Sequence, residues 1–356
     1  MNRWDIDSLY ENRFTDERRI LRFDRQYLRR KMKTLSLSSY DDVKPYWMEL
    51  SKTYKNGELS LDWATNKLIW DYFYKNRNFQ LKIIVGIQDA CCVGIIPLLF
   101  GDHEMCNFPY WSFNDDFIIS KEYFSPPEEV HRFLEHLPQH LSDDMNCFYV
   151  PEKAQYFCRR ARGLVDIKPS QEEYFESLKK KYRHDMRRTW RINADVNVIA
   201  DNRLHAGKIR SLLVCYLEYW RQKNGSASEE YSLYSRDKIL TDLLLMRRAE
   251  ELGKLIALYF YLGEELVAAN FSVQREQDRV DDYLCLRNGN GHLASRGLGI
   301  FAILKNIEHC RQLRKRYYDL SSCLNDYKRK FINMETFFYL MGFERIPIAA
   351  SEAQLT

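Results

Sequence analysis

KLIALYFYLGEELVAANFSVQREQDRVDDYLCLRNGNGHLASRGLGIFAILKNIEHCRQLRKRYYDLSSCLNDYKRKF, residues 254–331, decides the fold of this chain. Two strand-like runs, KLIALYFYLG and ELVAANFSVQ, meet at Gly263-Glu264-Glu265. A third, VDDYLCL, leads into a glycine-rich loop, RNGNGHLASRGLG, and then into the helix-patterned IFAILKNIEHCRQL. The strand YYDLSS and the cluster NDYKRKF close the segment. A strand, a glycine loop and a helix in this order form an anion-binding device. Amides at a helix N-terminus face outward with partial positive charge, and glycines let the backbone approach an anion. The expected ligand carries a pyrophosphate, and an acyl-CoA fits best.

The order of parts extends on both sides. Asp319 in YYDLSS is followed by Asp326-Tyr327-Lys328 and Phe331. Upstream lie LKIIVGIQDACCVGIIPLLF (81–100) and KKKYRHDMRRTWRINADVNV (179–198). Arg296-Gly297-Leu298-Gly299 resembles the end of the R/Q-x-x-G-x-G/A loop of GNAT acyltransferases, with Leu293 or Ala294 at its first position. The Asp319…Asp326-Tyr327-Lys328…Phe331 ending resembles the CelD/BioF2-like branch, tandem-GNAT relatives of the FemX-type (FemAB) aminoacyl transferases. The basic helix and the G-I-x-P-L-like run at 94–98 are similar to that branch too.

That resemblance implies an α/β (α+β) fold of two tandem GNAT-like domains, each a mixed twisted sheet flanked by helices. It implies that Leu293, Ala294, Ser295, Arg296, Gly297, Leu298 and Gly299 hold the CoA pyrophosphate. Backbone polarisation of the acyl carbonyl falls around Tyr283–Leu286, where the fourth strand splays. Asp319, Asp326, Tyr327 and Lys328 are the implied catalytic group. Asp319 is expected beside the cofactor site as a proton acceptor, and Asp326 with Lys328 as an orienting pair or a structural salt bridge. Tyr327 is expected to be the acid for the leaving thiolate. Tyr339, in FYLMGF at 338–343, competes for that place, and with 24 tyrosines in the chain either also reads as core. Cys285 reads as a small core residue rather than a nucleophile.

Composition limits the alternatives. At 356 residues two domains are the expectation. Hydrophobic content of 45% and aromatic content of 14% describe a globular chain. A net charge of +4 argues against a dedicated DNA binder. The longest apolar run, VGIIPLLF at 93–100, is far short of the roughly 20 residues of a membrane span. No secretory h-region is visible at the N-terminus. Nine cysteines without a C-x-x-C pair suit a reducing cytoplasm, and the histidines carry no accompanying metal-ligand set.

Three parts are expected. Residues 1–41 read as a charged helical arm and linker, with LSLSSYDD at 35–42 as the linker and Ser39 or Asp41 as a cap. The arm 1–34 docks on the body or on a second copy, or else makes peripheral contact with the inner membrane. Residues 42–165 form a first GNAT-like domain. It has helices at 42–55, 62–76 and 126–141, an aromatic cleft wall at 108–119, a strand at 146–150 and no second glycine loop. It is expected to shape the acceptor cleft without a cofactor site. Residues 166–350 form the acyl-CoA-binding domain. There SQEEYFESLKKKYRHDMRRTWR opens on a capping box, Ser170 and Glu173, with Leu178, Tyr182, Met186 and Trp190 as one buried stripe. Its other face carries Lys180, Arg183, Arg187, Arg188 and Arg191, read either as solvated surface or as anion contact. Arg183 and Arg187 are the acceptor-binding candidates. In FemX-like relatives a K-x-R-x-N motif lies near the acceptor, and Lys181-Tyr182-Arg183-His184-Asp185 is similar to it.

The function implied is direct, acyl-CoA-dependent N-acyl transfer to an amine or amino-sugar acceptor. That acceptor is a small molecule or glycan precursor of cell-envelope or exopolysaccharide metabolism. One alternative is a FemX-like transferase using aminoacyl-tRNA. Another is a non-catalytic, membrane-associated GNAT-fold protein of stress or antimicrobial-peptide resistance. Acyl group, acceptor and oligomeric state stay open.

Overall fold

The computed structural model describes residues 33–52, 59, 62–76, 79–88, 90–100, 105–107, 118–119, 147–148, 156–224, 236–275, 278–289, 291–320, 327–343 and 346–347. The arm up to residue 32, the aromatic run 108–117, the helix at 126–141 and Asp326 lie outside the described residues.

Of the fourteen described strands, numbered in chain order, twelve form one mixed sheet. The first seven strands are β1 (Lys33–Leu37), β2 (Gln80–Gln88), β3 (Cys91–Phe100), β4 (Met105–Asn107), β5 (Ile118–Ile119), β6 (Cys147–Phe148) and β7 (Tyr156–Asp166). The rest are β8 (Val196–Asp201), β9 (Leu255–Leu262), β10 (Glu265–Gln274), β11 (Arg279–Arg287), β12 (Tyr317–Asp319), β13 (Met334–Phe343) and β14 (Ile346–Pro347). Across the sheet the order is β1-β2-β3-β4-β13-β7-β12-β11-β10-β9-β8, with β5 on β3, while β14 and β6 pair separately. Strands from both expected domains thus share one sheet. β7 lies between β12 and β13, and β13 in turn pairs with β4. β11 and β12 are parallel, and the other described pairs are antiparallel.

Among the described residues seven α-helices cover the faces. They are α1 (Tyr40–Ser51), α2 (Trp63–Ile69, continued by one π turn to Tyr74), α3 (Gln171–Ser177), α4 (Lys180–Ile192), α5 (Ala206–Asn224), α6 (Arg236–Glu251) and α7 (Leu298–Gln312). Period-2 alternation sends Leu255, Ala257 and Tyr259 of β9 and Ala269, Phe271 and Val273 of β10 to one face. There they join Leu212 of α5, Leu245 and Met246 of α6, and Trp47, Ile69 and Ile83 of the first half in a single core. Ile256, Leu258, Phe260 and Ala268 point the other way, under α4 and α7.

Local chemistry explains most element ends. Ser39 accepts from the Asp41 amide and starts α1. Ser170 accepts from the Glu173 amide and donates to its carboxylate, the expected capping box. Two expectations change. Residues 33–37, read as the end of the arm and the start of the linker, form an edge strand, because Leu35 and Leu37 alternate with polar residues and pair with β2. The helix expected to run from 170 to 191 breaks at Leu178, which is extended at φ −85° and ψ 155°. Leu178 is buried, and Met186 is fully buried, while Tyr182 and Trp190 keep part of their surface, so the stripe is not continuous.

One ion pair fastens the two halves on the α6 side. Asp62 caps α2 through the Thr65 amide at 2.8 Å, and Arg248 of α6 grips the same carboxylate at 2.9 and 3.0 Å. Burial alone would raise the Asp62 carboxyl; hydrogen bonds from Arg248 and Thr65 outweigh it and hold the group below the ordinary 3.8. Such stabilisation is present above the unfolded value and is lost as pH falls through the lower folded one. Asp62→Asn is expected to cost about 2 kcal/mol at pH 7. In urea titrations the gap to wild type should close as pH drops below the unfolded value of 3.8. A gap that does not change with pH would deny the carboxylate this role.

Candidate functional site

The site begins at the fork where the described pairing of two parallel strands ends. β11 and β12 pair from Arg279 to Asp281 against Tyr317 to Asp319. Their described pairing ends there, while β11 runs on to Arg287. Lys328 spans the fork: its Nζ donates to the Leu320 carbonyl at 2.7 Å and lies 3.9 Å from Asp282 Oδ2.

A β-bulge sets which side chains enter the fork. On β10, Phe271 pairs with Leu284 and the next residue, Ser272, with Asp282, so Tyr283 is the extra residue on β11. Alternation slips by one at that point. Tyr283 and Leu284 both turn towards α5 and α6, where Tyr283 donates to Asp242 at 3.0 Å. Asp282 and Cys285 accordingly share the opposite face, under α7.

That face carries a buried polar network. Asp282 Oδ1 accepts from Tyr318 Oη at 2.8 Å and from Asn270 Nδ2 at 3.1 Å. Ser272 Oγ donates towards Asn270 Oδ1 at 3.1 Å and lies 3.3 Å from Asn306 Oδ1. Asn306 in turn donates to the Ala302 carbonyl within α7. Asn270, Ser272, Asn306 and Tyr318 are fully buried. Burial, with Asp282 adding to it, pushes the Tyr318 hydroxyl far above the ordinary tyrosine value, so it remains a donor. Burial also pushes the Cys285 thiol up to about 11, which favours its protonated form at neutral pH.

The glycine loop delivers the N-terminus of α7 to the same place. Gly297 is left-handed at φ 65° and caps the helix without a side-chain hydrogen bond. At Gly299 an added Cβ would stand 2.7 Å from Arg287 Nη1 and 2.9 Å from Tyr327 Oη, so the ends of those two side chains would have to shift. A guanidinium from the end of β11 and a phenol from the 327–331 turn therefore close on the first turn of α7. Amides at a helix start with a guanidinium beside them are groups that bind a phosphate. Burial keeps the Tyr327 hydroxyl well above its ordinary value, hence protonated, and its ring packs edge-on to Phe331 at 5.7 Å.

The other expected residues are placed as follows. Leu293 and Leu298 are buried core. Ala294 and Ser295 are exposed, and Ser295 donates to His292. Arg296 forms a bidentate pair with Asp195, 2.7 Å on both oxygens, and Asn193 holds its carbonyl. Leu286 is buried on the face away from α7. Asp319, expected beside the loop, lies on the other face of the sheet. Its neighbour Tyr318 packs under α7, so alternation turns the fully buried Asp319 to the opposite face. There its register partner Asp281 lies 3.3 Å from Arg279 and 3.5 Å from Arg275. Arg183 and Arg187 both bond Glu176, and Arg187 also Glu172, tying α4 to α3. Lys179, Lys180, Lys181, Arg188 and Arg191 remain exposed. Tyr339 lies on β13, opposite Arg159 of β7.

Asp282 and Arg287 were missed in the sequence. The available signal was a pair of adjacent acids, Asp281-Asp282, inside an otherwise apolar strand. Among the described residues no cluster of His, Cys, Asp or Glu could hold a metal, and no helix is long and apolar enough to cross a membrane.

No protein-family model matches the sequence, and no curated protein matches it. Solved structures do. FemX is similar over 91% of this chain and 99% of its own, with TM-score 0.53 and 10% identity. The C-terminal domain of a putative lysylphosphatidylglycerol synthetase from Agrobacterium fabrum covers 89% of this chain and 95% of its own, with TM-score 0.48 and 12% identity. A tandem GNAT protein from the clavulanic acid biosynthesis pathway covers 88% and 98%, with TM-score 0.42 and 9% identity. The chain has a mixed α/β fold similar to that of FemX.

Proposed function

We propose that the chain transfers an acyl group from a phosphate-bearing donor to an amine, and that the donor is an acyl-CoA. One observation carries this reading: Arg287 and Tyr327 close over Gly299 at the uncapped N-terminus of α7. The amides of Leu298 and Gly299 and the Arg287 guanidinium would hold the donor's phosphates, and the fork between β11 and β12 would receive its acyl end. The amine nitrogen attacks the carbonyl carbon, the C–N bond forms and the C–S bond breaks. Tyr327 gives its hydroxyl proton to the leaving sulfur and regains one from the nitrogen. Lys328 offers N–H to the developing oxyanion. The first GNAT-like unit shapes the acceptor cleft, and an amino sugar of cell-envelope metabolism is the acceptor class we favour, as in the CelD/BioF2-like branch.

A second reading takes aminoacyl-tRNA as the donor. The likeness in fold to FemX and the lysines exposed at the start of α4 support it. Titration calorimetry with acetyl-CoA, longer acyl-CoAs, free CoA and aminoacyl-tRNA separates the two. Binding of the RNA alone, falling steeply with salt, would replace CoA as donor. Binding of neither would remove the transfer reading.

Two substitutions test the site itself. Gly299→Ala is expected to abolish donor binding by displacing Arg287 and Tyr327. It should leave the melting temperature unchanged or higher, because alanine favours a helix over glycine by about 1 kcal/mol. Retained affinity would exclude the first turn of α7 as the phosphate site. Tyr327→Phe should lower kcat by about tenfold or more with little change in donor affinity. Normal turnover in this variant would make Tyr327 a packing residue.

A further inference from the structure

Asp282 has no part in the steps just described, yet its surroundings define a task. It is 8% exposed, and one oxygen receives two donors, Tyr318 at 2.8 Å and Asn270 at 3.1 Å. Both donors are fully buried, and Asn270 is braced in turn by Ser272. The carboxylate plane is therefore fixed. Its second oxygen lies on the Lys328 side, 3.9 Å from Nζ. A lysine ammonium on four rotatable bonds is a flexible point charge unless it is held. Here it is stretched between the Leu320 carbonyl of one parting strand and Asp282 of the other. The bulge at Tyr283 is what turns Asp282 to this face.

We infer that Asp282 is a positioning residue for the transfer reaction: with the Leu320 carbonyl it holds the Lys328 ammonium at the fork, where that group meets the acyl carbonyl. The inference rests on the transfer reading above. It differs from the pairing expected from sequence, in which Asp326 orients Lys328. Asp282 touches neither donor nor acceptor and acts through the lysine. Asn270 and Tyr318 act one step further out, by fixing the carboxylate.

A double-mutant cycle tests it. Asp282→Asn, Lys328→Met and the double variant are compared in kcat at saturating substrates, in donor Kd and in melting temperature. Asp282→Asn should lower kcat about tenfold while donor Kd stays within about twofold. In the Lys328→Met background the same change should have no further effect on kcat, because residues that act as one unit are not additive. Additive losses, or a loss that merely follows the folded fraction, would overturn the inference and leave the transfer reading standing. If Asp282→Asn does not fold, Tyr318→Phe takes its place in the cycle with the same expectation. A wild-type protein that transfers from neither acyl-CoA nor aminoacyl-tRNA would instead sink the transfer reading. The positioning is then read alone, from side-chain resonances of 15N-labelled lysine. The Lys328 ammonium signal should be ordered in wild type and lost in Asp282→Asn, and equal signals in both would overturn it.

Discussion

One extra residue in β11 organises the site. Without the bulge at Tyr283, strict alternation would place Asp282 and Cys285 on opposite faces of the sheet. With it, Asp282 lies under α7 and still pairs across from Ser272, and Cys285 stands opposite Asn270 on the same face. The bulge falls just beyond the last paired residues of β11 and β12, where the ladder already stops. A bend and a loss of pairing at one point cost backbone hydrogen bonds. They are offset by the polar network that fills the same space with well-matched donors and acceptors.

The basic residues differ in where they sit. Arg183, Arg187 and Arg296 are each engaged by carboxylates of neighbouring segments and serve the scaffold. Arg296 and Asp195 fasten the loop before α7 to the turn after α4, so the helix start is held from outside its own sequence. Arg287 is different in place, since it comes to the helix end itself. Exposed ion pairs contribute little stability. The value of the Arg296 pair is that it fixes where the first turn of α7 sits.

Much of the fold was legible because the signals are local. Ser170 and Glu173 mark a helix start, Gly297 marks a loop that must turn left-handed, and the apolar runs of β9 to β11 have the length and alternation of strands. What the sequence did not show is set by distant partners. Nothing near Arg187 announces that Glu172 and Glu176 will meet it across a helix break, because the break at Leu178 is made by tertiary burial rather than by a proline or glycine. The placement of Asp319 failed for a related reason. Its position next to the loop in chain order is real, but the face it takes is decided by Tyr318, which packs under α7. Tyr327 was legible through its motif, and the structure brings it to Gly299. Arg287 and Asp282 were not, since a bulge cannot be read from one strand without its partner's register.

The place of β13 has a consequence for how the chain is made. Residues 334–343 fill the gap between β4 and β7, strands that leave the ribosome well over a hundred residues earlier. Until they emerge, β4 and β7 each present an unpaired edge, and the middle of the sheet stays open. Sheets closed by such long-range pairing form slowly, and unpaired edges recruit other strands. A nascent chain of this protein must therefore carry two exposed edges from the completion of β7 until β13 emerges. Its yield in a cell then depends on the supply of chaperones at that stage as much as on the stability of the finished fold.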